Sequence, residues 1–169
     1  DHLTDYLTLM EREKLHLTLV VDTHTHADHI SAGAALKDYT KCDYYMNSLA
    51  PSECVPTRVD DGEKISFEGT TIQFLETPGH TQDSLTLVFP DRILTGDVLF
   101  LDDAGAGRDD LPGGDPGAHW DSLQRLLGLD ENLIVYPAHE YRDRQPSSLG
   151  QQKRTNPLFA LKSREAYIT

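Results

Sequence analysis

The sequence predicts a layered α/β sandwich, on three observations. Apolar, β-branched stretches of strand length alternate with stretches of helical period. Two pairs of those strands read as hairpins, which a purely parallel sheet would not contain. A chain of 169 residues is also long enough for one domain with a substantial core.

The elements follow in chain order. Residues 3–14 (LTDYLTLMEREK) place Leu3, Tyr6, Leu7 and Met10 on one helical stripe. Residues 16–22 (HLTLVVD) read as a buried strand. The loop THTHADH follows, and residues 30–37 (ISAGAALK) read as a helix rich in small side chains. Residues 43–46 are a short strand. Asp61-Gly62 signals a turn before KISFEGTTIQFLET, a hairpin with Ile65 and Phe67 on one arm and Ile72 and Phe74 on the other, bending at Glu68-Gly69. Residues 84–89 and 92–95 form a second hairpin across Pro90-Asp91. Five glycines and two prolines make residues 102–117 a long loop. A helix is expected over 118–127 and a strand over 133–136, ending at PAHEY. The remainder mixes polar loop with one or two helices.

The formal net charge of −13 argues against a nucleic-acid partner, whose phosphates call for a basic footprint, and against docking on anionic membranes. It leaves room for an anionic small substrate, because a bound metal ion can reverse the local field. No apolar run approaches the roughly 20 residues that span a bilayer. Cys42 and Cys54 sit in no metal-binding spacing and read as reduced thiols, as in a cytoplasmic compartment.

Chemistry concentrates where strands end: LVVDTHTHADH, IQFLETPGH, RILTGD and LIVYPAH. Imidazole and carboxylate are the usual protein ligands for zinc, iron and manganese. On an extended loop, His24 and His26 can aim two imidazoles at one ion. Asp28 and His29, at the turn into the next helix, can face a second position. The bland alternative is a polar surface loop with Asp28 capping a helix. His80 and His139 at later strand ends speak against it. Asp97, in LTGD, reads as a carboxylate ligand rather than a turn cap. His2, His16 and His119 fit no such pattern and read as surface or half-buried histidines.

THTHADH, TPGHT, TGD and YPAH, in that order, resemble the signature of the metallo-β-lactamase superfamily, and the likeness runs from about Leu15 to Pro157. It implies an αββα sandwich formed by a single domain over residues 1–169. The resemblance also implies that strands usually found ahead of the first helix are missing from one sheet, which would leave an open sheet edge and exposed apolar surface. In two-metal members of that superfamily, His24, His26 and His80 would bind one ion. Asp28, His29 and His139 would bind the other, with Asp97 bridging.

The loops resemble one branch. GAGRDDLPGGDPGAHWDSL, YPAHEYRDR and QQKRTNPLF are similar to segments of the persulfide (sulfur) dioxygenases. That resemblance implies one Fe(II) per chain, held by His24, His80 and Asp97 as a two-histidine, one-carboxylate set. His26, Asp28, His29 and His139 would then surround the metal without binding it. Glutathione persulfide and dioxygen would be the substrates. Arg108 could pair with a substrate carboxylate, or form a structural salt bridge in its aspartate-rich loop. Tyr141 is either a substrate donor or a residue packed under the loop.

The near alternative is a glyoxalase II-like hydrolase with two zinc ions that cleaves a glutathione thioester. It shares PAHEY, but usually adds a helical C-terminal domain for which little chain remains after Pro157. A third alternative is an inactive metal-binding or assembly module. A homo-oligomer is compatible with the sequence. Three departures bear on substrate preference more than on metal binding. Asp109 stands where the dioxygenases usually have Thr, Asp102 and Asp103 enlarge and charge the preceding loop, and Asp83-Ser84 replaces a glycine and a small residue.

Overall fold

Period-two alternation along short strands decides which side chains meet. The computed structural model describes residues 2–26 and 29–168. One sheet is parallel, in the order β1 (Leu19–Val21), β2 (Asp43–Asn47), β3 (Thr57–Val59). The other runs β4 (Lys64–Phe67), β5 (Thr70–Glu76), β6 (Leu85–Val88), β7 (Arg92–Gly96), β8 (Ile134–Pro137), β9 (Ser147–Ser148). Its first four strands pair antiparallel, β7 and β8 pair parallel, and β9 returns antiparallel.

The apolar residues sort into three clusters, and these define the layers. Between the sheets, Phe74, Ile72, Leu85, Leu87 and Val59 pack with Leu19, Val21, Tyr45 and Leu94. On the outer face of the small sheet, Tyr44, Met46 and Val20 meet Ala34 of α2 (Gly33–Thr40). On the outer face of the large sheet, Ile93 and Val135 meet Leu123 and Leu126 of α3 (Pro116–Leu127) and Leu149 of α4 (Leu149–Thr155). Val20 thus faces outward while Leu19 and Val21 face inward, and Ile93 and Leu94 split the same way. The result is the expected αββα sandwich. Asp115 caps α3 by accepting from Ala118 N, and Pro116 presets its first turn. The terminal helix α5 (Arg164–Ile168) packs on α3.

Some details differ from expectation. The strand foreseen over 16–22 shortens to Leu19–Val21. Strand β3 carries no alternating apolar run to betray it. It is held by Arg58, which donates to the carbonyl of Asn47 at the end of β2 and to those of Ala50 and Ser52 beyond it. The first helix, α1 (Leu3–Glu13), buries no residue fully. Its Met10 and Leu9 line an apolar groove with Leu15, Leu17 and Leu19. The edge of β1 away from β2 has no strand partner among the described residues. Cys42 is buried, Cys54 is exposed, and both are free thiols. Among the described residues, no helix is long and apolar enough to cross a membrane.

Strand direction positions the chemistry. β5 and β7 are both antiparallel to β6, and β7 is parallel to β8, so β5, β7 and β8 end at one edge. Leu85 N donates to Thr23 O at 2.7 Å, which brings the end of β1 to that edge.

One ion pair ties α3 to the start of the hairpin. Arg125 forks Asp61 at 2.7 and 3.1 Å and donates to Glu76 O at 3.0 Å. This guanidinium holds the Asp61 carboxyl below its ordinary value of 3.8. The pair therefore stabilises the fold above that value, and the contribution is lost as pH falls through the lower, folded value. Asp61→Asn should flatten the acid limb of the stability curve below pH 3.8. Because the pair is half exposed, the cost at neutral pH should stay under about 1 kcal/mol. Urea midpoints measured against pH for both proteins check this; parallel curves would refute it.

Candidate metal centre

Four strand ends supply the site. His24 follows β1, His80 follows β5, Asp97 follows β7 and His139 follows β8. The ligand atoms of His24, His80 and Asp97 all lie within 4.8 Å of one another. His24 Nε2 is 3.7 Å and His80 Nε2 is 3.5 Å from Asp97 Oδ2. These spacings are too long for hydrogen bonds. They match two donors about 2.1 Å from a shared ion, which lie roughly 3.4 Å apart at a tetrahedral angle. The other carboxylate oxygen, Asp97 Oδ1, is buried without a hydrogen-bond partner among the described residues and lies 3.6 Å from His139 Nε2. A buried polar atom in that state is costly unless something fills the gap. The donor set therefore fits a metal ion.

The surroundings set the tautomers. His80 Nδ1 donates to Arg108 O at 2.5 Å, which leaves Nε2 unprotonated and aimed at the site. His24 Nδ1 lies 3.0 Å from Thr23 Oγ1, whose hydroxyl can accept in the same way. The loop carrying the histidines is anchored from below. Thr25 donates to Asp83 Oδ2 through both its backbone N and its hydroxyl, at 2.9 and 2.7 Å. Ser31 and Tyr44 donate to Asp22, on either side of the loop's base. Burial first, then the bonded Asp22, push the Tyr44 hydroxyl far above its ordinary value.

Gly79 explains the TPGH turn. Its φ is +144°, and a Cβ there would fall 2.3 Å from His119 Cα. The helix α3 thus presses directly on the turn that holds His80. His119 itself corrects the sequence reading, which placed it at the surface or half buried. It is fully buried. Its Nε2 donates to Val98 O at 2.8 Å, and its Nδ1 stands 3.4 Å from Asp109 Oδ2. Burial pushes its imidazole below the ordinary histidine range. Position 119 lies on the packed face of α3, about one turn before Leu123 and two before Leu126, so helical phase was the available signal.

The remaining candidates fall around this centre. The His26 ring lies edge-on to His24 at 4.3 Å, and the His29 ring is 4.1 Å from His26. His139 stacks on Tyr141 at 5.8 Å, and Phe100 packs edge-on against both. Asp28 lies outside the described residues. A cavity of about 650 Å³ opens beside His80, Asp97 and His139 and is also lined by Arg108 and Tyr141. Arg108 is engaged by Asp110, with bonds of 2.9 and 3.0 Å. Sequence reasoning did not single out Phe100, Arg142 or Arg144 as site residues. They line the same cavity, and no residue pattern announced it.

The chain is similar to known proteins in sequence and in fold. A 34% identical relative, "Hydroxyacylglutathione hydrolase" of Rhodopseudomonas palustris, aligns over 96% of this chain and 63% of its own length. A 29% identical relative, "Persulfide dioxygenase ETHE1, mitochondrial" of Bos taurus, aligns over 93% of this chain and 62% of its own length. The chain thus spans less than two thirds of either. The crystal structure of ETHE1 from Myxococcus xanthus superposes with a TM-score of 0.90 at 37% identity, covering 99% of this chain and 73% of that one. The profile of the metallo-β-lactamase superfamily matches residues 3–139. With that match spanning most of its length, the chain belongs to the metallo-β-lactamase superfamily.

Proposed function

We propose that this chain is an iron-dependent persulfide dioxygenase. Glutathione persulfide, dioxygen and water would give glutathione and sulfite. The terminal sulfur is oxidised and dioxygen is reduced. The observation that carries the reading is the meeting of two histidines and one carboxylate, His24, His80 and Asp97, beside an open cavity. Such a set leaves positions free for both substrates. The resemblance of the loops around Arg108 and Tyr141 to the dioxygenases supports it, as do the persulfide dioxygenase relative and the ETHE1 structure, whereas the hydroxyacylglutathione hydrolase relative supports the second reading below.

His24, His80 and Asp97 would hold one Fe(II), which when bound supplies the redox chemistry that activates dioxygen. The Arg108 carbonyl keeps His80 in the tautomer that offers Nε2. Phe100, His139 and Tyr141 form one aromatic wall along which the persulfide would lie. His26, Asp28, His29 and His139 would place water or substrate against the centre. Arg108 lines the cavity as a candidate partner for a substrate carboxylate, once released from Asp110.

A second reading has its own observation. Asp97 Oδ1 stands 3.6 Å from His139 Nε2, so Asp97 could bridge to a second ion. With two zinc ions, the site would cleave a glutathione thioester by hydrolysis. Metal analysis after anaerobic iron loading separates the two. One iron per chain with persulfide-dependent oxygen uptake is expected. Two zinc ions with rapid thioester hydrolysis, and no oxygen uptake, would overturn the dioxygenase.

A further inference from the structure

The rim of the cavity already holds a carboxylate, and it belongs to the protein. Arg142 Nη1 donates to Asp103 Oδ2 at 2.6 Å. Arg144 donates to Asp103 Oδ1 from Nε at 3.1 Å and from Nη2 at 2.5 Å. Each oxygen of one carboxylate is thus taken by a different guanidinium. All three residues line the cavity that reaches His80, Asp97 and His139.

The partners are not equally fixed. The Arg144 side chain is only 13% exposed, and Nη1 is held from behind by Glu140 Oε1 at 2.7 Å. The Asp103 side chain is 62% exposed. Its neighbour Asp102 is the anchored member of that turn. Asp102 N donates to Gln152 Oε1 at 2.7 Å, and Thr155 donates to Asp102 Oδ1 at 2.5 Å. Asp102 fixes the turn, and Asp103 is what the turn presents to the cavity. Hydrogen bonding to Arg144 holds the Asp103 carboxyl below its ordinary range. With its carboxylate this open to water, the ion pair is weak enough to exchange for another carboxylate.

The charge balance of the cavity points the same way. In a chain of net charge −13, its lining carries three arginines against two aspartates. One of those aspartates is Asp97, whose charge a metal ion would offset. Paired guanidiniums are suited to a planar carboxylate taken by both oxygens. The loop from His139 through Tyr141 to Arg144 runs without a break from the metal centre to this pair.

We propose that Arg142 and Arg144 form a seat for a substrate carboxylate, and that Asp103 occupies the seat until substrate displaces it. Asp103 is then a specificity-determining residue that sets how strongly an acidic thiol must bind to enter. The ligand class is a small thiol compound with a free carboxylate. That identity rests on the reading above, whereas the seat itself rests on the three side chains.

Equilibrium titration of the purified chain with glutathione and with its diethyl ester tests the seat apart from any reaction. The ester presents the same thiol without a charged carboxylate. Asp103→Asn should tighten glutathione about two- to fivefold, matching removal of an exposed competing ion pair. It should leave the diester unchanged. Arg144→Gln should weaken glutathione about tenfold or more, as loss of a charge-assisted bond requires, with little effect on the diester. Arg142→Gln, at an exposed position, gives the same sign without risk to the fold. The proposal is overturned if the wild type does not bind glutathione, if Asp103→Asn does not tighten it, or if the arginine variants weaken both probes alike. If oxygen uptake is absent while this discrimination persists, the dioxygenase reading falls and the seat stands.

Discussion

Asp97→Ala should abolish metal retention while leaving the metal-free fold as stable as before, or more so. One Asp97 oxygen stands within 3.5–3.7 Å of His24 and His80, and the other lies 3.6 Å from His139. No other described carboxylate joins those histidines in a common ligand group. Loss of a partner outside the ligand set typically costs 10–100-fold in metal affinity, so loss of this proposed ligand should cost at least about a hundredfold. Without metal the sign differs. Asp97 Oδ1 is buried and makes no hydrogen bond among the described residues, so alanine removes a costly group. Metal at about a thousand times its Kd stabilises the native state by roughly 4 kcal/mol. That corresponds to a Tm rise of roughly 8–16 °C for a chain of this length. Wild type should show that rise with Fe(II) or Zn(II), and Asp97→Ala should not. Thermal melts with and without chelator measure both halves. An equal rise in the variant would refute the site, whichever reaction it supports.

Gly107→Ala should damage the same centre without unfolding the protein. A Cβ at 107 would lie 2.4 Å from Asp97 O, 3.0 Å from Asp97 Cβ and 3.2 Å from His80 Nδ1. Gly107 N also donates to Asp97 O at 2.8 Å, so the two strands of loop cannot simply part. The first of those contacts is with backbone, which cannot yield by changing rotamer. The alanine must displace Asp97, His80 or both. Overpacking of this kind costs about 1–3 kcal/mol, and the strain falls on two of the three proposed ligands. We expect metal affinity to drop at least about tenfold while far-UV circular dichroism stays unchanged. Gly113→Ala is the control. Its φ of +92° makes alanine strained, but a Cβ there meets nothing within 4 Å. It should cost stability by about 1 kcal/mol and leave metal affinity alone. Equal affinities in the wild type and Gly107→Ala would contradict the close approach.

Local pattern made much of this legible. Alternation in KISFEGTTIQFLET produced β4 and β5 with Glu68-Gly69 at the bend. The metal-type residues were recognisable because each follows an apolar strand, and strand ends are where a sheet presents side chains. Short-range signals failed where long-range contacts decide. Strand β3 has no apolar period of its own and exists through pairing with β2 and the bonds of Arg58. Asp83 looked like a departure from a glycine position. It is the acceptor that holds Thr25, 58 residues away in the chain. His119 looked ordinary because its residue type carries no sign of burial; only its helical phase with Leu123 did.

The sequence alone determined the superfamily, the layered architecture and the cluster from His24 to His29, since each depends on residue type at fixed local spacing. Spacing cannot report convergence. Which histidines share Asp97, which glycine wall stands against it, and which arginines line the cavity all depend on where four strand ends and two loops meet. Residues 103 and 144 are 41 positions apart, and nothing in their immediate neighbours ties them together. Their pairing follows from the parallel join of β7 and β8, which carries the two loops to one edge of the sheet.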